Sequence, residues 1–116
     1  MIKFPERGDI YLVCLDPTIG SEINKTRPAL IISNNINNRV SETVTVIPIT
    51  SSGKEKVYPF EAVLLPQDSG LHRSSKVKCN QIRTIDKKRL VKQIGKVSKK
   101  KIREIESALL IHLGMY

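Results

Sequence analysis

Thr26-Arg27-Pro28-Ala29-Leu30-Ile31-Ile32-Ser33 is a cationic entry into an unbroken apolar run. A short apolar stretch with proline before it and Ser33-Asn34-Asn35 after it has the length and β-branched content of a strand buried on both faces. Immediately upstream, Asp16-Pro17-Thr18-Ile19-Gly20-Ser21-Glu22 is a polar loop with a glycine hinge. Arg27 therefore stands at the lip of a rigid β core. Its guanidinium is permanently charged and offers a planar fork of donors that fits a phosphate.

Outward from this stretch the chain keeps the same character. Residues 8–15 read as a strand, with Ile10, Leu12 and Cys14 on one face and Tyr11, Val13 and Leu15 on the other. A loop over residues 17–26 leads to the second strand, residues 28–33. Residues 34–39 are asparagine-rich and read as a turn or a single helical turn. Residues 43–50 form a third strand, with Pro48 marking a bulge or an edge near its end. A polar hairpin loop over residues 51–58, a fourth strand at 59–65, a loop around Gly70 at 67–75, a fifth strand at 75–83 and a short sixth at 91–97 follow. Then the period changes. Ile102, Ile105, Leu109 and His112/Leu113 recur at helical spacing, so residues 98–113 read as an amphipathic helix capped by Ser98 and ended by Gly114. This pattern predicts one mainly β domain over residues 1–116, α+β by content: a small β barrel with a C-terminal helix.

The 116 residues are 40% apolar, enough for one modest core. The longest apolar runs, residues 29–32 and 108–111, fall far short of the roughly 20 a membrane span needs. No apolar signal region opens the chain, and a cytoplasmic location is expected. Cys14 and Cys79 read as two buried, reduced thiols, and no Cys/His cluster has metal spacing.

The formal charge is +9, and it is unevenly placed. Residues 87–103 hold nine bases and no acid, whereas the first 86 residues hold 11 bases and 9 acids. Such a block suits a polyanion, either nucleic acid or an acidic protein, or else a solvated face. Lys99, Lys100 and Lys101 fall in the first helical turn, where the macrodipole disfavours cations, so stability does not explain them.

Arg27 is the first candidate for chemistry, as the group that holds a scissile phosphate and stabilises charge on a phosphorane. Thr50 ends the third strand and could donate its hydroxyl to a phosphate oxygen; Ser51 and Ser52 follow it in the loop. Glu22, beside Gly20 and Ser21, could take a proton from a 2′-hydroxyl. Lys76, Lys78 and Asn80 share one face of the fifth strand, a polar stripe suited to a nucleic-acid backbone or to solvent. Gln81 and Arg83 read as architectural or as the floor of a site. His72 is a loop histidine with no partner to complete a triad and reads as a surface residue; His112 reads as packing. Aromatic residues are scarce, so contacts to bases must be mainly polar and ionic.

Several of these stretches together resemble the MazF/PemK/Kid family of bacterial toxins. They are Arg7-Gly8-Asp9-Ile10-Tyr11, Leu15-Asp16-Pro17 through Gly20-Ser21-Glu22, Arg27 to Ser33, Pro48-Ile49-Thr50-Ser51, Tyr58-Pro59-Phe60-Glu61, and Gln81-Ile82-Arg83-Thr84-Ile85-Asp86-Lys87-Lys88-Arg89-Leu90. The resemblance implies a homodimeric SH3-like barrel. It implies the toxin of a type II toxin–antitoxin pair: an mRNA interferase that cuts single-stranded RNA without a metal or other cofactor. The 2′-hydroxyl attacks phosphorus and leaves a 2′,3′-cyclic phosphate and a 5′-hydroxyl. The family's essential arginine and threonine fall on Arg27 and Thr50, and the loop of Gly20, Ser21 and Glu22 matches the mobile segment that gates RNA; with an amide at Asn80, Glu22 or a water must supply any proton transfer. Together with the residue reading above, RNA contacts are expected at Gly20, Ser21, Lys25, Ser51, Lys76, Lys78, Asn80 and Gln81. A cognate antitoxin with an acidic, disordered tail would compete for that surface. One departure is plain: some members carry an arginine and a carboxylate with acid–base roles where this chain has Lys78 and Asn80, and an amide is no base at neutral pH. The alternatives are a non-catalytic relative that binds nucleic acid or poisons a protein such as DNA gyrase, and an inactive toxin.

Overall fold

The structure, a computed structural model, describes residues 3–53 and 55–116. Met1, Ile2 and Lys54, which belong to the expected N-terminal stretch and the 51–58 loop, lie outside the described residues. The chain runs β1 (Asp9–Cys14), β2 (Thr26–Ile31), α1 (Asn35–Val40), β3 (Thr43–Thr50), β4 (Glu61–Leu64), α2 (Pro66–Ser69), β5 (Ser75–Lys78), a 3₁₀ turn (Cys79–Gln81), β6 (Arg83–Asp86), a second 3₁₀ turn (Lys87–Arg89), β7 (Leu90–Lys96) and α3 (Lys99–His112).

All strand pairs are antiparallel, along the path β4-β5-β3-β2-β1-β7. β3 is the longest strand and organises the rest. One edge meets β2; the other meets β6 along Thr43–Val46 and β5 at Ile49 and Thr50. Pro48, which has no N–H to give, falls in the stretch between those two partners. The expectation of a barrel holds loosely: the sheet curls strongly, but β4 and β7 end its path without pairing to each other.

The curl creates two cores, which is why the decisive strand is apolar on both faces. Leu30 enters the larger core with Ile10, Ile47, Ile49, Leu64, Val77 and, from α3, Ile105 and Ala108. Ala29 and Ile31 point the other way, into a core of Val13, Leu15, Val44, Val46 and Ile85. α3 begins and ends as its sequence predicts. Ser98 Oγ accepts from the Lys101 N–H (3.3 Å), and Gly114 follows the helix with φ +73°.

Four expectations need correction. β3 and β4 do not form a hairpin; β5 lies between them. Residues 75–83 are not one strand, because the chain must leave β5 and re-enter the sheet as β6 opposite Val46, and the 3₁₀ turn makes that shift. Asn80 sits in the turn and leaves the parity of Lys76 and Lys78. Part of the 67–75 loop is α2, which starts on Pro66 and is capped where Asp68 Oδ2 accepts from the Leu65 N–H (3.0 Å). Finally, Cys14 is exposed, because it points to the opposite face from its fully buried neighbours Val13 and Leu15, which fill the second core. Cys79 is buried as expected. Burial, together with the charge of Glu61, pushes its thiol up to about 12, so it acts as packing.

Candidate active site

Arg27 is the second residue of β2, held opposite Val13 of β1. Across the other edge, Ala29 pairs with Pro48, Leu30 with Ile47 and Ile31 with Val46. Continuing that register two residues brings Arg27 opposite Thr50. The two side chains line one cleft of about 280 Å³, together with Pro28, Ile49, Ser51, Leu71, His72, Arg73 and Ser75. The sequence offered no geometric guarantee of this convergence; the pairing of β2 with β3 supplies it.

The cleft is cationic. Arg27 and Arg73 line it, and among the described residues no carboxylate does. Arg27 Nε donates to the Asn24 carbonyl (3.3 Å), which aims the fork while its two terminal nitrogens have no partner among the described residues. Thr50 Oγ1 accepts from the Ser52 N–H (3.2 Å) and shares a hydrogen bond with Ser52 Oγ (2.9 Å), so the hydroxyl is oriented by its own loop. Pro28, Ile49 and Leu71 give the cleft apolar walls, where a charge-assisted hydrogen bond to a phosphate is strongest.

The loop between β1 and β2 is pinned to the sheet. Gln81 Oε1 accepts from the Ile23 N–H (2.8 Å), and its Nε2 donates to the Ser21 carbonyl (3.2 Å). Arg83 Nη1 donates to the Leu15 carbonyl (3.2 Å), and Arg89 Nη1 donates to the carbonyls of Cys14 and Asp16. Lys25 turns the chain back toward β2 with φ +64°, its N–H donating to Asp16 Oδ1 (3.1 Å). The architectural reading of Gln81 and Arg83 therefore fits, and both ends of the Gln81 amide are engaged.

Glu22 and Asn80 stand apart from Arg27. They line a second cleft of about 350 Å³ with Ile19, Ser21, Gln81, Ile82 and Arg83. Glu22 Oε1 accepts from the Ile19 N–H (2.5 Å), a contact that folds the loop tip at Gly20. The structure does not bring this carboxylate into the cleft of Arg27 and Thr50.

The basic stripe on β5 is built differently from the sequence expectation. Lys76 lies directly across from Thr50, but its ammonium points inward. It donates to Glu61 Oε1 (3.0 Å) and to the carbonyls of Gly53 (2.8 Å) and Lys56 (3.0 Å). Lys78 donates to Glu61 Oε2 (2.7 Å). The Glu61 side chain is 0% exposed and that of Lys76 7%. Burial pushes the Glu61 carboxyl up, yet the hydrogen bonds from Lys78, the Tyr58 N–H and Lys76 outweigh it and hold it below its ordinary value. Lys76 is thus a tie between β5 and the 51–60 segment, with no donor left for a ligand.

His72 and Arg73 belong to the cleft, although sequence reading set His72 aside as a surface residue. Only the pairing of Thr50 with Lys76 carries the preceding loop to the end of β3. His112, read as packing, is exposed at the end of α3, its ring 6.4 Å from that of Phe60. Residues 87–103 line neither cleft. Arg7, Lys96, Lys99 and Arg103 instead border a groove with Glu106, at the opposite end of β1 from the Val13–Arg27 pair.

The chain matches the family model for the PemK-like, MazF-like toxin of type II toxin-antitoxin system over residues 6–113, and it belongs to that family. It is 39% identical over 115 residues, 95% of this chain and 97% of the other, to Endoribonuclease MazF9 of Mycobacterium tuberculosis (strain ATCC 25618 / H37Rv). Among solved structures it is similar to MazF from Deinococcus radiodurans (TM-score 0.83, 29% identity, 98% and 100% of the two chains). It is also similar to an endoribonuclease in complex with its cognate antitoxin from Mycobacterial species (TM-score 0.79, 28% identity, 97% of each chain).

Proposed function

We propose that this chain is the endoribonuclease toxin of a type II toxin–antitoxin pair and that the cleft of Arg27 and Thr50 is where it cuts single-stranded RNA. The observation that carries the proposal is the convergence of those two side chains, from facing strands, in one cationic cleft. A phosphodiester in the cleft meets the free fork of Arg27 on a non-bridging oxygen, with Arg73 as a second positive charge. The Thr50 hydroxyl donates to another non-bridging oxygen. These groups stabilise the charge that grows as the 2′-oxygen bonds to phosphorus and the bond to the 5′-oxygen breaks. The products are a 2′,3′-cyclic phosphate and a 5′-hydroxyl. Guanidinium and hydroxyl donors carry the charge, so the step calls for no divalent ion or cofactor. Gly20, Ser21, Lys25, Ser51 and Asn80 border the two clefts or the loop that joins them, in reach of flanking nucleotides.

A second copy of the chain fits the exposed apolar surface. α3 packs on β4, and around that contact Val63, Leu65, Leu110, Ile111 and Leu113 remain in solvent. The partners proposed are a second protomer and a cognate antitoxin whose acidic, disordered tail is drawn to a +9 surface. Among the described residues no helix is long and apolar enough to cross a membrane, and the proposed site of action is the cytoplasm, where RNA is. A purely binding relative, or one that poisons DNA gyrase, would have no use for an oriented Thr50 hydroxyl beside a free guanidinium. Cleavage of a long single-stranded transcript in EDTA, by the parent chain and by Arg27→Ala, tests the proposal.

A further inference from the structure

The cleft contains an imidazole whose position follows from the fold. His72 lines it together with Arg27 and Thr50. The loop that carries His72 is fastened on both sides. Before it, the Gly70 N–H donates to the Pro66 carbonyl (2.8 Å) and the Leu71 N–H to Ser69 Oγ (3.1 Å), with Leu71 packed against the larger core. After it, Ser75 is buried, donates its hydroxyl to the Arg73 carbonyl (3.3 Å) and starts β5 opposite Leu64. An exposed histidine on a tethered loop is held at the mouth of the cleft at little entropic cost.

The other groups in the cleft cannot move a proton near neutral pH. Arg27 and Arg73 stay protonated in proteins, and the hydroxyls of Thr50, Ser51 and Ser75 do not ionise there. Glu22 lies in the second cleft, held by the Ile19 N–H, and Asn80 beside it is an amide. An imidazole is the one side chain that both accepts and releases a proton between about pH 5 and 8. Among the described residues, the charged neighbours it faces are Arg27 from β2 and Arg73 on its own loop; Thr50 at the end of β3 and Ser51 after it are neutral.

We infer that His72 is the proton acceptor for the attacking 2′-hydroxyl, an inference that rests on the cleavage reaction proposed above. As the bond from the 2′-oxygen to phosphorus forms, the hydroxyl proton passes to the imidazole. The bond from phosphorus to the 5′-oxygen breaks, and the leaving oxygen takes a proton from water. The imidazolium then gives its proton to the hydroxide so formed, and the group returns to its starting state. The role left open by Asn80 is thereby filled by a loop residue from the other side of Thr50.

The experiment measures initial cleavage rates on one long single-stranded transcript in EDTA, from pH 5 to 9, for the full chain and for His72→Gln, His72→Ala, Glu22→Gln and Arg27→Ala. His72→Gln should lower kcat by about 100-fold or more with KM little changed, the usual size of a lost general base. The rise in rate between about pH 5 and 8 should flatten in that variant, and added imidazole should restore part of the His72→Ala rate. Glu22→Gln should keep the parental pH profile. A parental rate and pH rise in His72→Gln would overturn the inference, as would loss of that rise in Glu22→Gln alone. Either result would leave the cleavage site standing so long as Arg27→Ala is dead; cutting at the parental rate by Arg27→Ala would instead remove the site itself.

Discussion

Thr50 ends β3 opposite Arg27, the second residue of the neighbouring β2, and the two side chains share one cleft. A strand end is a good place for such a pair. The backbone there is fixed by the sheet on one side and released into loops on the other, so the groups are rigid and still open to a ligand. Thr50→Val keeps the β-branched shape and removes only the hydroxyl. It should reduce cleavage about 100- to 1,000-fold, as for loss of one donor to a developing negative charge. Stability should fall by no more than about 1 kcal/mol, because the bonds lost are the exposed ones with Ser52. Rates and thermal melts of the same preparation check both halves.

Glu61 joins β4 to β5 and to the 51–60 segment through two lysines, and its carboxylate is buried. Glu61→Ala should cost about 3–5 kcal/mol, since it strands the Lys76 ammonium inside the protein. The pH dependence follows from a carboxyl held below its ordinary value of 4.5 in the folded chain. Its contribution is complete above that value. It declines as the pH falls below it and is gone once the folded carboxyl is also protonated. Denaturant midpoints measured from pH 7 down to pH 3 should fall in the parent; the same decline should be shallower in the Ala variant.

Gly95 in β7 passes α2 so closely that an added Cβ would lie 2.4 Å from the Ser69 carbonyl oxygen. The obstacle is backbone, so α2 or β7 must move. Gly95→Ala should destabilise the chain by about 2 kcal/mol, a drop of roughly 10 °C in Tm. Ser69 also anchors the Leu71 N–H of the loop that carries His72 into the cleft, so cleavage by the folded variant at low temperature should fall as well, and thermal melts and initial rates of one preparation check both.

The contrast between residues 26–33 and residues 75–83 shows what sequence alone makes legible. Residues 29–32 of the first stretch are apolar without interruption because β2 lies between two cores, and that pattern is visible in the residues themselves. The second alternates convincingly, yet it is a short strand, a 3₁₀ turn and another strand, because β3 changes partner along its length. No local pattern encodes that change. The same reason explains Lys76, whose alternation matches a solvent stripe although its partner Glu61 stands on the neighbouring β4. Arg27 and Thr50 were legible from their strand ends and from the family resemblance. His72 was not, since its neighbours in the cleft are remote in sequence and are assembled by strand pairing alone.

The most direct test of the account is the chemistry of the RNA ends. A single-stranded transcript incubated in EDTA with the parent chain should yield fragments bearing 2′,3′-cyclic phosphates and 5′-hydroxyls, while folded Arg27→Ala leaves the transcript whole. Inhibition by EDTA, 5′-phosphate ends, or undiminished cutting by Arg27→Ala would contradict it.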